Sequence, residues 1–251
     1  MVVIVMSNNN NIYSNGCNSY SNNYNSNSIG SSTTPQRKLF MKQVLDDPMS
    51  EVYQTYQVLR TRSSPLQMYL IEIVDLCTNQ EAGVTEIIMP YMTCNLRTFA
   101  TQRLKDSFHS LLRENHDMIQ WNIHSLCLVL DMMHQCANGL QCWNEIAQKR
   151  HNDVKPENFL VDDGHALNFS SFSNFCVYLA DLDESDDNYS CSNRSRSGTL
   201  HYFPPETGTR RSTRSDIWSF GVMCLELLCL LHQLHYSNDG QFGIDNRHVT
   251  F

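Results

Sequence analysis

Eight consecutive residues, His151-Asn152-Asp153-Val154-Lys155-Pro156-Glu157-Asn158, bring a carboxylate, an amine and a carboxamide close together in the chain. Phosphoryl transfer asks little more of a protein. It needs a group that orients an acceptor hydroxyl and takes its proton, oxygens that hold Mg²⁺, and cations that balance phosphate charge. Asp153 suits the first task and Lys155 the last, through a γ-phosphate. Asn158 offers an amide oxygen to a metal. The apolar triplet Phe159-Leu160-Val161 that follows reads as a short strand.

The run H-N-D-V-K-P-E-N resembles the catalytic loop of protein kinases, whose pattern is H-x-D-x-K-x-x-N. Its Lys-Pro-Glu-Asn form is similar to the serine/threonine branch. Three further runs follow in the family's order. Leu179-Ala180-Asp181-Leu182-Asp183 resembles the D-F-G turn, which makes Asp181 a metal ligand beside Asn158. Ser197 to Glu206, S-G-T-L-H-Y-F-P-P-E, resembles the end of an activation segment, and implies that Thr199 contacts Asp153 and Lys155. Asp216-Ile217-Trp218-Ser219-Phe220-Gly221 resembles the start of the helix that anchors the catalytic loop.

Upstream, Ile87 to Met92 resembles the last strand of the first lobe and the hinge. Met89 then becomes the gatekeeper, and the backbone near Tyr91 and Met92 faces adenine, with Leu160 completing the nucleotide-binding set. By pattern alone the run is equally an ordinary buried strand. Leu39-Phe40-Met41-Lys42 stands where the family carries its phosphate-binding lysine, so Lys42 is that lysine or an exposed strand lysine. The resemblance also implies a stack of Leu59, Leu70, Leu182 and His151 above Asp216.

Several positions depart from the family. Before Lys42 the only glycines are Gly16 and Gly30, so the Gly-rich loop over the phosphates is missing. Phe40 replaces a small residue against adenine, and Thr55 aligns with the glutamate that should pair with Lys42. Glu51 lies one helical turn earlier. Asn152 replaces the arginine that receives an activation-loop phosphate, so switching through Ser195, Ser197 or Thr199 by that route is not expected. Asp183 replaces glycine, and Glu184, Asp186 and Asp187 extend the acidity. These read as a solvated acidic loop, with metal assistance as the alternative. Glu206 should lack its usual arginine partner, because the chain ends at Phe251.

The elements that must position these groups follow from periodicity. Leu39–Leu45, Met68–Val74 and Val84–Met89 read as strands, and 51–60 as a helix with Val52, Tyr56 and Leu59 on one face. From about Asn95 the pattern turns helical, with Ile123, Cys127, Leu130, Met133 and Leu140 recurring at helical spacing. Short strands return near Phe159–Val161 and Cys176–Ala180, with residues 162–176 as a surface insert. The stretch from Asp216 to Leu231 reads as a helix apolar on nearly all sides. Strands first and helices later give an α+β, two-lobed kinase-like fold. Its first-lobe sheet is reduced and its mostly helical second lobe is C-terminally shortened. The expected divisions are an Asn/Ser-rich disordered tail over 1–36 and a kinase-like domain over 37–251, divided as 37–92 and 93–251.

Composition narrows the partners. A formal charge of −8 disfavours nucleic acid. The apolar stretch from Trp218 to Leu231 is short for a membrane span and contains Glu226, so no membrane is expected. Ten cysteines without a CxxC pair, and no signal peptide, suit a reducing intracellular site such as the cytoplasm. The resemblance implies ATP and Mg²⁺ as cofactors, a protein Ser/Thr hydroxyl as acceptor, and a protein partner that covers the shortened second lobe. Its alternatives are a pseudokinase that serves as a binding module and an incomplete domain.

Overall fold

The computed structural model describes residues 2–5, 38–45, 51–61, 64–79, 83–114, 118–163, 175–187, 198–205 and 213–236. Ser195, Ser197, Glu206, the two early glycines and residues 7–36 lie outside them. The chain forms two compact units. One comprises Met1–Ser63 with Ile71–Tyr91, the other Ser64–Leu70 with Met92–Phe251.

The first unit is a four-stranded antiparallel sheet with one helix. Strands β1 (Val2–Val5), β2 (Lys38–Leu45), β3 (Asp75–Asn79) and β4 (Val84–Pro90) lie in the order β1-β2-β4-β3. Helix α1 spans Glu51–Thr61. The expectation of a structureless tail over 1–36 therefore fails at Val2–Val5, which pair with Lys38–Met41. A short apolar run needs only an open strand edge to satisfy its backbone groups. In β2 the pleat buries Leu39 and Met41 and puts Phe40 and Lys42 on the opposite face. In α1, Tyr56 and Leu59 are buried, and so is Thr55.

The strand expected at Met68–Val74 is not formed. Pro65–Tyr69 is a 3₁₀ turn capped by the Ser64 hydroxyl, which accepts from the Leu66 N–H at 3.2 Å. Proline at its start favours a turn over a ladder. Leu70 makes an isolated parallel bridge to Leu179. Within the second unit Tyr69 and Leu179 crowd Gly139 of α3, where a Cβ would stand 3.0 Å from the Tyr69 carbonyl oxygen.

The rest of the second unit is mainly helical. Strand β5 (Cys94–Asn95) leads into α2 (Leu96–Glu114) and α3 (Met118–Ala147). Then come β6 (Lys149–Arg150), β7 (Phe159–Asp162), β8 (Cys176–Leu179), β9 (Asp186–Asp187) and α4 (Thr213–Tyr236). β5, β7 and β8 form one small sheet, and β6 pairs with β9. β8 is fastened to α3 by the buried Gln135 carboxamide, which accepts the Val177 N–H at 2.9 Å. Phe99 and Phe175 pack with ring centroids 4.9 Å apart.

Two helical faces differ from expectation. In α3 the predicted stripe is not the core face: Ile123 and Leu130 are 60% and 51% exposed, and Cys127 is exposed as well. The buried stripe runs through Ser125, Val129, Met132, Cys136 and Trp143. Apolar residues occupy both faces, so hydropathy alone selects the wrong one. In α4 only one side is buried, through Ser215, Ser219, Met223 and Leu227, while Ile217 and Trp218 are 67% and 48% exposed. Its segment Arg214–His232 is long and apolar enough by length and composition to cross a membrane, although Trp218–Leu231 alone is shorter. In the fold, that segment contributes Met223 and Leu227 to the core.

Candidate active site

The loop from β6 to β7 is shaped by backbone tied to side chains. The Asp216 carboxylate, in the first turns of α4, accepts the His151 N–H at 2.7 Å and the Asn152 N–H at 2.9 Å. The fully buried His151 ring works from both nitrogens: Nδ1 accepts from the Asp153 N–H at 3.3 Å, and Nε2 donates to the Ala180 carbonyl at 3.0 Å. Asn152 sits at φ +66°, a left-handed conformation that asparagine tolerates better than most residues. Its Nδ2 donates to the Glu184 carbonyl at 2.8 Å.

This frame presents Asp153 to four side-chain and backbone donors. Oδ1 accepts the Thr199 N–H and the Thr199 hydroxyl, each at 2.9 Å. Oδ2 accepts Lys155 Nζ at 2.6 Å and Asn158 Nδ2 at 2.9 Å. Lys155 also donates to Thr199 Oγ1 at 2.9 Å. The expected contacts of Thr199 with Asp153 and Lys155 are therefore present. Partial burial pushes the Asp153 carboxyl up, but the hydrogen bonds from Lys155, Thr199 and Asn158 outweigh it and hold the group below its ordinary value. Such a carboxylate is a weak base, better at orienting a hydroxyl than at removing its proton early.

Asn158 closes the 3₁₀ turn Pro156–Asn158 and is buried. Its Nδ2 is spent on the Asp153 carbonyl at 2.7 Å and on the Asp153 carboxylate, which leaves Oδ1 as the side chain's acceptor. Its own carbonyl receives the Ala180 N–H at 2.9 Å, so the chain arrives at Asp181 directly beside it. Asp181 is exposed and left-handed at φ +58°, whereas Asp183, where the family has glycine, is not left-handed. Among the described residues no three His, Cys, Asp or Glu side chains gather to hold a metal. One carboxylate and one amide oxygen suit Mg²⁺, which binds few protein ligands and takes the rest from phosphate and water.

A second cluster secures the loop from outside. Arg97 in the first turn of α2 pairs with Glu157 of the loop and Glu226 of α4. It also donates to the Tyr202 hydroxyl at 2.8 Å, and that hydroxyl donates to Glu226 at 2.5 Å. Burial, then the bond to Glu226, drives the Tyr202 phenol well above its ordinary value. The Ser219 hydroxyl donates to the Tyr202 carbonyl at 2.7 Å. Arg97 had no sequence signal, whereas Glu226 stood out as a charge within an apolar helix.

The other predicted residues are placed as follows. Lys42, Met89 and Tyr91 belong to the first unit. Lys42 is half-buried on β2 opposite Ile87, Met89 is buried on β4 opposite Phe40, and the Tyr91 N–H donates to the Lys38 carbonyl at 3.0 Å. Met92 and Leu160 belong to the second unit, where Leu160 lies between Asn95 and Tyr178 in the small sheet. The structure thus gathers Asp153, Lys155 and Asn158 with Thr199, and sets Asp181 beside them. Leu70, Leu182 and His151 are each buried in the second unit, and Leu59 is buried in the first. Asp186 is not in a solvated loop: it is 5% exposed and pairs with Arg150 at 2.7 Å.

A family model described as protein kinase domain matches residues 31–249. Curated relatives include CBL-interacting serine/threonine-protein kinase 10 of Arabidopsis thaliana, 38% identical over 35% of this chain and 18% of that protein. Aurora kinase B of Danio rerio is 34% identical over 38% of this chain and 27% of its own length. The rice G-type lectin S-receptor-like serine/threonine-protein kinase LECRK1 is 34% identical over 37% of this chain and 11% of its own length. The chain spans at most about a quarter of the length of these relatives.

Proposed function

Because the chain belongs to the protein kinase family, we propose that it transfers the γ-phosphate of ATP, with Mg²⁺, to a Ser or Thr hydroxyl of a protein. The observation that carries this reading is the Asp153 carboxylate, held on both oxygens by Thr199, Lys155 and Asn158. An acceptor hydroxyl that approaches the carboxylate is oriented by it and gives up its proton to it late in transfer, while the Thr199 hydroxyl keeps Asp153 joined to Lys155. Lys155, released from part of its bond to Oδ2, offers its charge to the moving phosphoryl group. Asn158 Oδ1 and Asp181 would hold Mg²⁺, which would supply charge neutralisation for the phosphates. Lys42, Met89, Tyr91, Met92 and Leu160 form the nucleotide-binding set in this reading.

The test is phosphate transfer to a mixed Ser/Thr peptide library by purified protein, with Asp153→Ala as control. Transfer that Asp153→Ala loses supports the proposal, and equal rates in both proteins end it.

A second reading, a pseudokinase that serves as a binding module, is favoured by Phe40, which opposes Met89 in the sheet and shares a face of β2 with Lys42. Titration with ATP, with and without Mg²⁺, read beside the transfer assay, separates the two: the pseudokinase binds no nucleotide, or binds it and transfers none. In either reading, exposed Ile217, Trp218 and Leu225 on α4 suit a protein partner. The eight described cysteines, all free thiols, suit an intracellular site.

A further inference from the structure

Arg150 and Asp186, which phosphoryl transfer as proposed does not use, are among the most buried charged side chains of the second unit, at 1% and 5% exposure. They stand opposite one another in register across β6 and β9, with Arg150 Nε 2.7 Å from Asp186 Oδ1. Arg150 immediately precedes His151, and Asp186 lies just beyond the turn Leu182–Ser185 that follows Asp181. Two further bonds join the same segments: His151 Nε2 to the Ala180 carbonyl at 3.0 Å, and Asn152 Nδ2 to the Glu184 carbonyl at 2.8 Å. The arc from Ala180 to Asp186 is therefore fastened to residues 150–152 at both ends and near its middle. Asp181 rides on that arc in a left-handed conformation.

A buried ion pair adds little net stability, because desolvation of both charges offsets their attraction. It is, however, intolerant of displacement. β6 and β9 are two residues each, too short for backbone bonding to fix register firmly. A slip by one residue would turn one charge to the other face of its strand and break the contact between the two.

We propose that Arg150, through Asp186, is a positioning residue that sets the register of β6 on β9 and so the placement of Asp181 beside Asn158. No phosphate is needed for this: the two charges are both encoded in the chain, while Asn152 stands where the family carries a phosphate-receiving arginine. The proposal rests on the phosphotransfer reading for its effect on rate, but not for its effect on the arc.

The test compares wild type with Arg150→Met and Arg150→Lys below the melting temperature of each. Amide exchange of residues 180–186 should quicken at least about tenfold in R150M, while α3 amides keep wild-type protection. The Mg²⁺ concentration for half-maximal transfer should rise at least about fivefold and kcat fall about tenfold, with KM for peptide little changed. R150K should recover part of each. A folded R150M with wild-type exchange and Mg²⁺ dependence would overturn the proposal. If R150M does not fold, R150M/D186L removes the second buried charge as well and is judged by the same outcomes. If wild type transfers no phosphate, the phosphotransfer reading fails, and exchange over 180–186 alone decides this one.

Discussion

Gly198 lies against the backbone of Asn152 so closely that a Cβ at position 198 would stand 2.5 Å from the Asn152 carbonyl oxygen, and 2.9 Å from the Phe203 ring. Its φ of +110° is also one that side chains rarely adopt. The next residue is Thr199, whose N–H and hydroxyl both reach Asp153. The approach of Gly198 to Asn152 therefore sets how the segment meets the loop. Gly198→Ala should cost roughly 1–3 kcal/mol of stability through strain. It should also reduce phosphate transfer by a larger factor than the stability loss explains. Melting curves and kcat on the same preparation check this, and an unchanged kcat would count against it.

Thr199→Val keeps the backbone bond to Asp153 but removes the hydroxyl that joins Asp153 to Lys155. It should lower kcat by about 10- to 100-fold, within the range for acid–base positioning. Thr199→Ser should recover most of that. Equal activity of Val and Ser variants would show that the hydroxyl is not used.

The Asp153 carboxyl lies below its ordinary value, so its hydrogen-bonded cage stabilises the fold at pH values above the unfolded value of about 3.9. That contribution is lost as pH falls through the lower folded value. The difference in melting temperature between wild type and Asp153→Asn should accordingly be flat above about pH 5 and shrink below about pH 4. A difference independent of pH down to 3 would contradict the assignment.

Thiol chemistry separates the described cysteines. Burial drives Cys136 well above its ordinary value and raises Cys224 to about 11. Cys127 is exposed on α3. Brief treatment with iodoacetamide near pH 8 should modify Cys127 first, with Cys136 and Cys224 reacting only on unfolding. Peptide mass mapping reads the order directly, and early labelling of Cys136 would mean that α3 is turned otherwise.

Much of the site was legible because its parts are adjacent in the chain. Asp153, Lys155 and Asn158 share one loop, and Thr199 and Asp216 fall in short runs with fixed spacing. The charges that hold the loop were not legible. Arg97 meets Glu157 and Glu226 from three separate elements, and Arg150 meets Asp186 across a two-residue ladder. Nothing local marks such pairs, although Lys149-Arg150 and Asp186-Asp187 are complementary once the register is known. Hydropathy selects the wrong face of α3 because a Ser, a Gly and two Cys line its buried side. Close packing chose those small residues where hydropathy favoured the Ile and Leu opposite. Nothing local marks the pairing of Val2–Val5, because its partner strand begins beyond a long polar stretch.

The two bonds from Asp216 end on backbone N–H groups, not on the side chains of His151 and Asn152. The anchor that Asp216 supplies is thus indifferent to the side chains at 151 and 152, even though both side chains make further bonds of their own. The residue at 152 can therefore change without the loop losing its Asp216 anchor. For the two Asp216 bonds proline is the substitution ruled out, since it alone would arrive with no hydrogen to give.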